Sequence, residues 1–366
     1  MKKSIFSIFA LGALLCSCHN GDVDYPDFDY QTLSFSYPNP VRTITLGYEA
    51  DVDNSGDNEH RFKLQAVLGG VNENRNEHSV TFRIADELCD NLFLDNGEPL
   101  LPMPKEYYSI ATDRMVIPKG SVIGGVDVQL TDAFFADPKS VEVNYVIPVL
   151  LVNSEDSILS GKAKDGVVNP NRLVKDDWSI APKDFTLYAV KYKNRYDGCW
   201  LSKGTDRLLN ATNKEIEAGT ATDTIIDRQY KYWEKADLRY FKTVSLNRFT
   251  YTQEFDVPII QKNGKKGSQH IVCKMILDVD DNGNVTITSD SEDCVVSGSG
   301  TWKENGAEKA FGDRDRDYMH LQYEFTTQYM SHVPKKTMST YKMVCDEELV
   351  LRDRQNSQEW FNYTFK

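Results

Sequence analysis

The segment 228–241 combines aromatic rings with charged side chains at a density that suits recognition of a polar ligand. Tyr232 and Trp233 are adjacent, and Asp237 and Arg239 follow shortly after them. The apolar face of a pyranose stacks on an aromatic ring, while polar and charged neighbours satisfy its hydroxyl groups. A hydrophobic core would not alternate so many charges with its rings. These four residues are therefore predicted to bind a sugar.

The aromatic residues also have a simpler interpretation as parts of a hydrophobic core. All five tryptophans lie beyond residue 177. Trp200 and Trp302 occur where short apolar runs meet turns, which favours packing inside the fold. Tyr232 and Trp233 lie in a segment too charged to be buried throughout. For these two residues a surface role and a core role both remain open.

No recognised catalytic arrangement occurs in the sequence. The six histidines form no HExxH motif, and there is no Gly-x-Ser-x-Gly elbow or phosphate-binding loop. The segment from Asp278 to Asn284 resembles the first half of an EF-hand loop, but Ser289 replaces the bidentate glutamate. We expect a hairpin turn built on Asn282-Gly283 instead. The sequence thus predicts a non-catalytic protein with no metal site and no cofactor.

The N-terminus carries a cysteine at the end of a short apolar run. Met1–Lys3 supplies positive charge, and Ile5–Leu15 is apolar but too short to span a bilayer. A leucine three residues before Cys18 and a serine just before it resemble a bacterial lipobox, in which the cysteine thiol is lipidated. We therefore predict a signal peptide over residues 1–18 and lipidation of Cys18. A plain secreted protein is the alternative.

Residues 19–30 are acidic and are predicted to form a tether between the membrane and the first domain. Lipidation at Cys16 would compete with Cys18, but Leu15 is too large for the position before the modified cysteine. Lipoproteins exported to the surface of Bacteroides-like bacteria often carry acidic residues near this point. We expect a lipid-anchored protein of the outer membrane that faces the cell exterior.

The composition restricts the partners of the chain. It has 366 residues and a formal net charge of −13, which disfavours nucleic acid and anionic membrane surfaces. Membrane attachment would then depend on the lipid. Of the seven cysteines, Cys16 and Cys18 belong to the signal peptide, and the others form no CxxC pair. One disulfide among the last four cysteines and free buried thiols are both possible outcomes.

Short β-rich runs separated by Gly, Asn, Asp and Pro turns recur along the chain. The apolar run 141–152 is predicted to be a central strand. Residues 153–182 are rich in Gly, Pro and charges and lack periodicity, which indicates a linker. The sequence therefore predicts an all-β protein with a β-sandwich domain at 31–155, a linker at 156–184 and a β-barrel-like domain at 185–366.

An ordered set of motifs marks the first predicted domain. The set comprises Tyr107-Tyr108, Ile117-Pro118-Lys119-Gly120, Val126–Leu130, Phe134-Phe135-Ala136-Asp137 and Tyr145–Val149. It resembles the β-sandwich module upstream of the catalytic barrel in some Bacteroides family 18 endo-glycosidases and in surface lipoproteins encoded beside glycan-uptake systems. Those enzymes need an Asp-x-x-Asp-x-Asp-x-Glu run that this chain lacks. The resemblance thus implies the accessory module and not the activity.

The second predicted domain begins with Tyr196-Asp197-Gly198-Cys199-Trp200 and ends with Glu348–Arg354. In outline it resembles the lipocalin-like β-barrel domain paired with the first module in such lipoproteins. The resemblance implies a surface lipoprotein that binds oligosaccharides for a neighbouring outer-membrane importer or glycosidase. A structural or adhesive lipoprotein that binds host protein or matrix is the alternative. Exposed aromatic rings would favour the first function, and a broad apolar patch the second.

Overall fold

The computed structural model describes residues 27–36, 40–49, 52–331 and 337–365. The predicted signal peptide and its Cys18 lie outside these residues. The α-helices within the described ranges are Ser55–Asn58, Asp132–Ala136 and Asn213–Glu217, and the 3₁₀ turns are Asp86–Cys89, Lys105–Tyr107, Pro138–Val141, Lys175–Asp177 and Trp233–Lys235. None of these helices is long and apolar enough to cross a bilayer. Strands dominate, which confirms the predicted all-β class.

The strands of the described residues are numbered in chain order. They are β1 (Thr32–Ser34), β2 (Val41–Thr45), β3 (Arg61–Gly69), β4 (His78–Ile84), β5 (Leu92–Leu94), β6 (Leu101–Pro102), β7 (Tyr108–Ile110), β8 (Arg114–Ile117), β9 (Ile123–Leu130), β10 (Tyr145–Ser154), β11 (Ser157–Ile158), β12 (Lys162–Ala163), β13 (Trp178–Ile180), β14 (Phe185–Lys193), β15 (Gly198–Thr212), β16 (Asp223–Asp227), β17 (Asp237–Ser245), β18 (Arg248–Ile260), β19 (Lys266–Val279), β20 (Asn284–Ser289), β21 (Cys294–Phe311), β22 (Arg314–Ser331), β23 (Thr337–Asp353) and β24 (Tyr363–Phe365).

The first domain is built on an eleven-stranded sheet in the order β11-β1-β3-β9-β8-β4-β10-β14-β2, with β6 and β7 paired to β10 and β9. Apolar and polar residues alternate along β3, so its apolar side chains meet inside. β10 is instead apolar throughout its first seven residues, because both of its faces are buried. Ile147 and Val149 face the main core, whereas Val146 and Leu150 contact a second core that Tyr363 helps to cover. The predicted central strand is thus confirmed.

The predicted boundary at residue 185 placed β14 in the second domain. In the structure β14 belongs to the sheet of the first domain. It pairs antiparallel with β10 through Val146↔Ala189 and parallel with β2 through Ala189↔Val41. Alternation identifies a strand, but it does not say which neighbour the strand pairs with. The predicted linker also contains β11, β12 and β13, and β11 pairs with β1. Residues 194–197 therefore connect the two domains.

The second domain is a closed antiparallel barrel. Strands β17 to β23 pair consecutively, and β15 pairs with both β17 and β23, which closes a circuit of eight strands. β16 pairs with β15 beyond the end of β17. A disulfide between Cys273 and Cys294 joins β19 to β21. The inward side chains form a buried core that includes Trp200, Phe241, Phe249, Tyr251, Met275, Leu321, Tyr323 and Leu349.

A buried ion cluster joins the barrel to the first domain. The side chain of Arg354 is 1% exposed, and its Nε lies 3.1 Å from Oε1 of Glu49 in the first domain. Its Nη2 lies 3.6 Å from Oδ2 of Asp317 in the barrel. Burial lowers the pKa of Arg354 and raises the pKa of both carboxyl groups. A Cβ on Gly47, whose φ is +105°, would lie 2.3 Å from this guanidinium, so glycine is required there.

Three of the motifs that carry the resemblance meet at Asp137. The hydroxyls of Tyr107 and Tyr145 both donate to its Oδ2, at 2.9 and 2.6 Å. Its Oδ1 accepts from the backbone N–H of Lys139 at 2.9 Å. Burial alone would raise the pKa of Asp137, but these hydrogen bonds lower it below its ordinary value. The folded state therefore stabilises Asp137 as a carboxylate.

Asp137→Asn should lower the free energy of unfolding at pH 7 by about 1 kcal/mol, because charge-assisted hydrogen bonds are lost at a partly solvated site. The folded-state pKa lies below the ordinary value of 3.8, so the stabilisation is present above that value. It disappears as the pH falls through the folded-state pKa. Urea unfolding at a series of pH values between 7 and 3 measures the difference. A difference that is the same at every pH, or an equal effect of the exposed Asp165→Asn, would contradict this assignment.

Candidate functional site

The predicted ligand residues lie where one edge of the barrel wall is interrupted. β16 pairs with Thr205–Leu209 of β15, and β17 pairs with Gly198–Ser202 along the same edge. The segment 228–236 crosses between these two strands. At the interruption the backbone N–H of Arg228 donates to the carbonyl of Gly204 at 2.9 Å. This bond fixes the point at which Arg228 enters the barrel.

Arg228 is the centre of a buried polar network. Its Nε and Nη2 donate to the two carboxylate oxygens of Asp206 at 2.7 and 2.9 Å, and its Nη1 donates to Oγ of Ser202 at 2.9 Å. Ser202 in turn donates to Oε2 of Glu347 at 2.7 Å, and the hydroxyl of Tyr323 donates to Oε1 at 3.0 Å. All five residues are buried. The network therefore holds one guanidinium and two carboxylates away from solvent.

Burial and charge act in opposite directions on this network. Burial alone would lower the pKa of Arg228, but its hydrogen bonds to Asp206 and the charge of Glu347 raise it. Burial raises the pKa of Tyr251 and of Tyr323 well above the ordinary value, so both hydroxyls remain protonated. These shifts favour fixed charges and hydrogen-bond donors over proton transfer near neutral pH.

Asp237 and Arg239 face the same interior as the core residue Phe241, because alternate residues of β17 point inward. Nη2 of Arg239 lies 3.7 Å from Oδ2 of Asp237, and its Nε lies 3.9 Å from Oε2 of Glu347. Asp237 accepts a hydrogen bond from the hydroxyl of Tyr230 at 3.0 Å. The structure thus brings two of the predicted ligand residues together at the edge of the buried network.

Tyr232 and Trp233 belong to the crossing segment itself. Tyr232 is 51% exposed, and Nζ of Lys231 lies 4.9 Å from its ring centroid. Trp233 begins a 3₁₀ turn that contacts β15 and β21, and Nζ of Lys203 lies 4.0 Å from its ring centroid. One face of the half-buried Trp233 ring is therefore already occupied by a cation. Tyr232 presents more of its ring to solvent.

The interpretations of two neighbouring elements are confirmed. Trp200 is fully buried, and Trp302 packs against the barrel core. The acidic loop before β20 is a hairpin turn, in which Oδ1 of Asp280 accepts from the backbone N–H groups of Asn282 and Asn284. No group of three or more His, Cys, Asp or Glu side chains is arranged to hold a metal ion within the described ranges.

A cleft of about 760 Å³ opens beside the network, where β17 and β18 separate. These strands pair between Phe241↔Tyr251 and Ser245↔Arg248 and diverge beyond Tyr251. Tyr240, on the outer face of β17, is 49% exposed. The cleft thus combines an aromatic ring with hydroxyl, amide and charged groups, its lining including Glu142, Leu238, Arg239, Tyr240, Lys242, Tyr251, Gln253, Glu254 and Lys274.

The predicted ligand set omitted Arg228, Tyr240 and Glu347. Glu347 had a readable signal, because it has the same strand parity as the apolar Leu349 and Leu351. A charge on the apolar side of a strand indicates a buried polar site. Arg228 had no comparable signal, because its partners are on β15 and β23, distant in sequence.

Each domain matches a family model. A family model described as Domain of unknown function (DUF5627) matches residues 195–355, and a model described as an N-terminal domain matches residues 28–158. A crystal structure of a protein of unknown function from Bacteroides ovatus is 37% identical, covers 93% of this chain and 100% of its own, and has a TM-score of 0.75. The chain belongs to the family of that Bacteroides ovatus protein.

Two further solved structures are more distant. A second Bacteroides ovatus protein of unknown function is 13% identical over 90% of this chain and 100% of its own, with a TM-score of 0.40. A third, from Bacteroides ovatus ATCC 8483 and provisionally described as a carbohydrate binding protein, is 12% identical over 80% of each chain, with a TM-score of 0.25. Similarities this low support no conclusion about fold or ligand. No curated protein matches the chain.

Arg228→Met should destabilise the DUF5627 domain by about 3–5 kcal/mol, because Asp206 and Glu347 would remain buried without their main cation. The matched control is Arg207→Met on the outer face of β15. Arg207 forms an exposed pair with Asp223 at 3.3 Å, so its loss should change stability by about 1 kcal/mol or less. Chemical unfolding of both variants measures the difference. Equal effects would show that the buried network does not stabilise the barrel.

Proposed function

We propose that this chain is a non-catalytic protein that binds oligosaccharides at the cleft between β17 and β18. The observation that carries the proposal is the meeting of an exposed ring, Tyr240, with Arg239, Gln253 and Glu254 in one open cleft. Sugars need an aromatic surface for their C–H face and directional partners for their hydroxyls. A volume of about 760 Å³ is large enough for a short oligosaccharide.

The residues predicted from sequence have different parts in this proposal. Tyr232, whose ring is half exposed, lies outside the cleft lining and is assigned as an additional contact for a longer ligand. Trp233, which has Nζ of Lys203 over one face of its ring, is assigned a stacking role through its other face. Asp237 and Arg239 supply polar groups at the inner edge of the cleft. Tyr240 is added to the predicted set because it is exposed within the cleft lining.

We further propose that Cys18 carries a lipid that anchors the protein to the outer membrane, with the glycan site facing the cell exterior. The lipobox-like spacing before Cys18 and the acidic residues after it support this placement. The ligand would then pass to a neighbouring outer-membrane importer or glycosidase. The relative that is 37% identical comes from Bacteroides ovatus, and lipoproteins of Bacteroides-like bacteria carry such signals.

Trp233→Ala and Tyr240→Ala should each weaken glycan binding about tenfold, because loss of one stacking ring removes about 1–2 kcal/mol. A glycan array probed with residues 21–366 identifies the ligand, and calorimetric titration and thermal melts follow for each variant. Tyr240→Ala should leave the melting temperature unchanged, whereas Trp233→Ala should lower it slightly through loss of its contact with Lys203. Tyr48→Ala in the first domain, which removes a ring that is 65% exposed, is the matched control.

Unchanged affinity in both ring variants would place the sugar site elsewhere. Unchanged affinity together with a large fall in stability for Trp233→Ala would show a purely structural ring, since truncation of a buried Trp costs about 3–5 kcal/mol. If the protein binds no glycan on the array but does bind host protein or matrix, the adhesive function is favoured.

Cys18→Ala should abolish lipid labelling and release the protein from the membrane fraction, because the thiol is the proposed acylation site. Growth with labelled palmitate and separation of membrane from soluble fractions measures both effects. Cys16→Ala is the matched control and should leave both unchanged. A Cys18→Ala protein that still takes up label and remains with membranes would disprove the anchor.

A further inference from the structure

The inner wall of the cleft contains a guanidinium whose hydrogen-bonding capacity is largely unused. Nη1 of Arg239 donates to the carbonyl of Leu238 at 3.2 Å. Its Nε is buried without a hydrogen-bond acceptor in the part of the chain that the structure describes. A guanidinium has five N–H donors. Arg239 thus reaches the cleft with donors to spare, and its side chain is 21% exposed and accessible to a ligand.

The carboxylates nearest to Arg239 do not satisfy it. Asp237 lies 3.7 Å away and Glu347 lies 3.9 Å away, both beyond normal hydrogen-bond distance. Both are engaged by other donors, since Tyr230 donates to Asp237 at 3.0 Å and Ser202 donates to Glu347 at 2.7 Å. These acids hold the guanidinium in place by charge but leave its donors without acceptors.

Arg228, in the same network, provides an internal comparison. It forms a bidentate pair with Asp206 at 2.7 and 2.9 Å and is 8% exposed. Its hydrogen bonds are therefore directed into the protein. Arg228 is buried and uses four of its five N–H donors inside the protein, whereas Arg239 uses one within the described residues and lines the cleft.

The charges of the cleft lining are nearly balanced. The lining carries three cations, Arg239, Lys242 and Lys274, and two carboxylates, Glu142 and Glu254. Lys274 also pairs with Asp290 at 2.7 Å, outside the cleft lining. Asp290 offsets Lys274, so the unused donors of Arg239, and not a net charge of the lining, favour an anionic ligand.

We infer that the cleft binds acidic oligosaccharides, with the carboxylate or sulfate group of the sugar held by the guanidinium of Arg239. A planar guanidinium matches such groups through paired N–H donors. The aromatic surface at Tyr240 would contact the ring that carries the acidic group. This inference rests on the proposed oligosaccharide binding and adds its chemical class.

The test compares acidic probes with neutral ones. Tetragalacturonate carries carboxylates, a κ-carrageenan tetrasaccharide carries sulfates, and fully methyl-esterified tetragalacturonate and lactose carry no charge. Titration of residues 21–366 should give at least tenfold tighter binding to one acidic probe than to the neutral ones. Binding of tetragalacturonate would show recognition of a carboxylate, and binding of the κ-carrageenan tetrasaccharide would show recognition of a sulfate.

Arg239→Gln should weaken binding of that acidic probe at least tenfold, because the paired charge-assisted donors are lost. Arg75→Gln removes the same charge from an exposed arginine of the first domain, whose side chain is 73% exposed, and should have no effect. Thermal melts check folding of both variants. If Arg239→Gln does not fold, the salt dependence of the unmodified protein decides, since raising NaCl from 50 to 500 mM should weaken acidic-probe binding several-fold.

Three results would overturn the inference. Tighter binding to neutral glycans than to acidic ones would overturn it while leaving oligosaccharide binding intact. Acidic-probe binding that depends neither on Arg239 nor on salt would do the same. Absence of binding to every probe here and to every glycan of the array would overturn the proposed function and this inference together.

Discussion

The barrel depends on the pairing of β15 with β23, which extends from Cys199↔Asp353 to Thr212↔Ser339. This pairing joins the first and last strands of the barrel and removes its open edges. Its register places Gly204 opposite Glu347. A Cβ on Gly204 would lie 2.9 Å from Cα of Glu347, so a larger residue would force the two strands apart. The closure of the barrel and the position of its buried carboxylate therefore follow from one register.

The interruption between β16 and β17 explains why charges occur inside the barrel. Where neither strand covers the edge of β15, the carbonyl of Gly204 needs another donor, and the backbone of Arg228 supplies it. The Arg228 side chain then enters an interior in which a lone cation would be strongly disfavoured. Asp206 compensates for it through direct hydrogen bonds, and Ser202 links Glu347 to the guanidinium. The network is thus a consequence of how the wall is interrupted.

Alternation of apolar and polar residues predicted most strands and the all-β class, because each strand has one face in a core. It could not assign β14 to its sheet. The alternation in β14 is compatible with either domain, and its partners β10 and β2 are remote in sequence. The charged and aromatic composition of the segment 228–241 led to the proposed site region. It could not show that Asp237 and Arg239 face inward while Tyr240 faces outward, because that depends on the phase of β17 relative to the core residue Phe241.

The cleft is a property of the two-domain chain and not of the barrel alone. Glu142, which belongs to the first domain, lines it together with residues of β17 and β18. Its position relative to Arg239 is fixed by the short connection from β14 to β15 and by the buried pair of Arg354 and Glu49. The pairing of β24 with β5 ties the end of the chain back to the first domain as well. All three attachments tie the barrel to the first domain, and Glu142 of that domain lines one side of the proposed binding cleft.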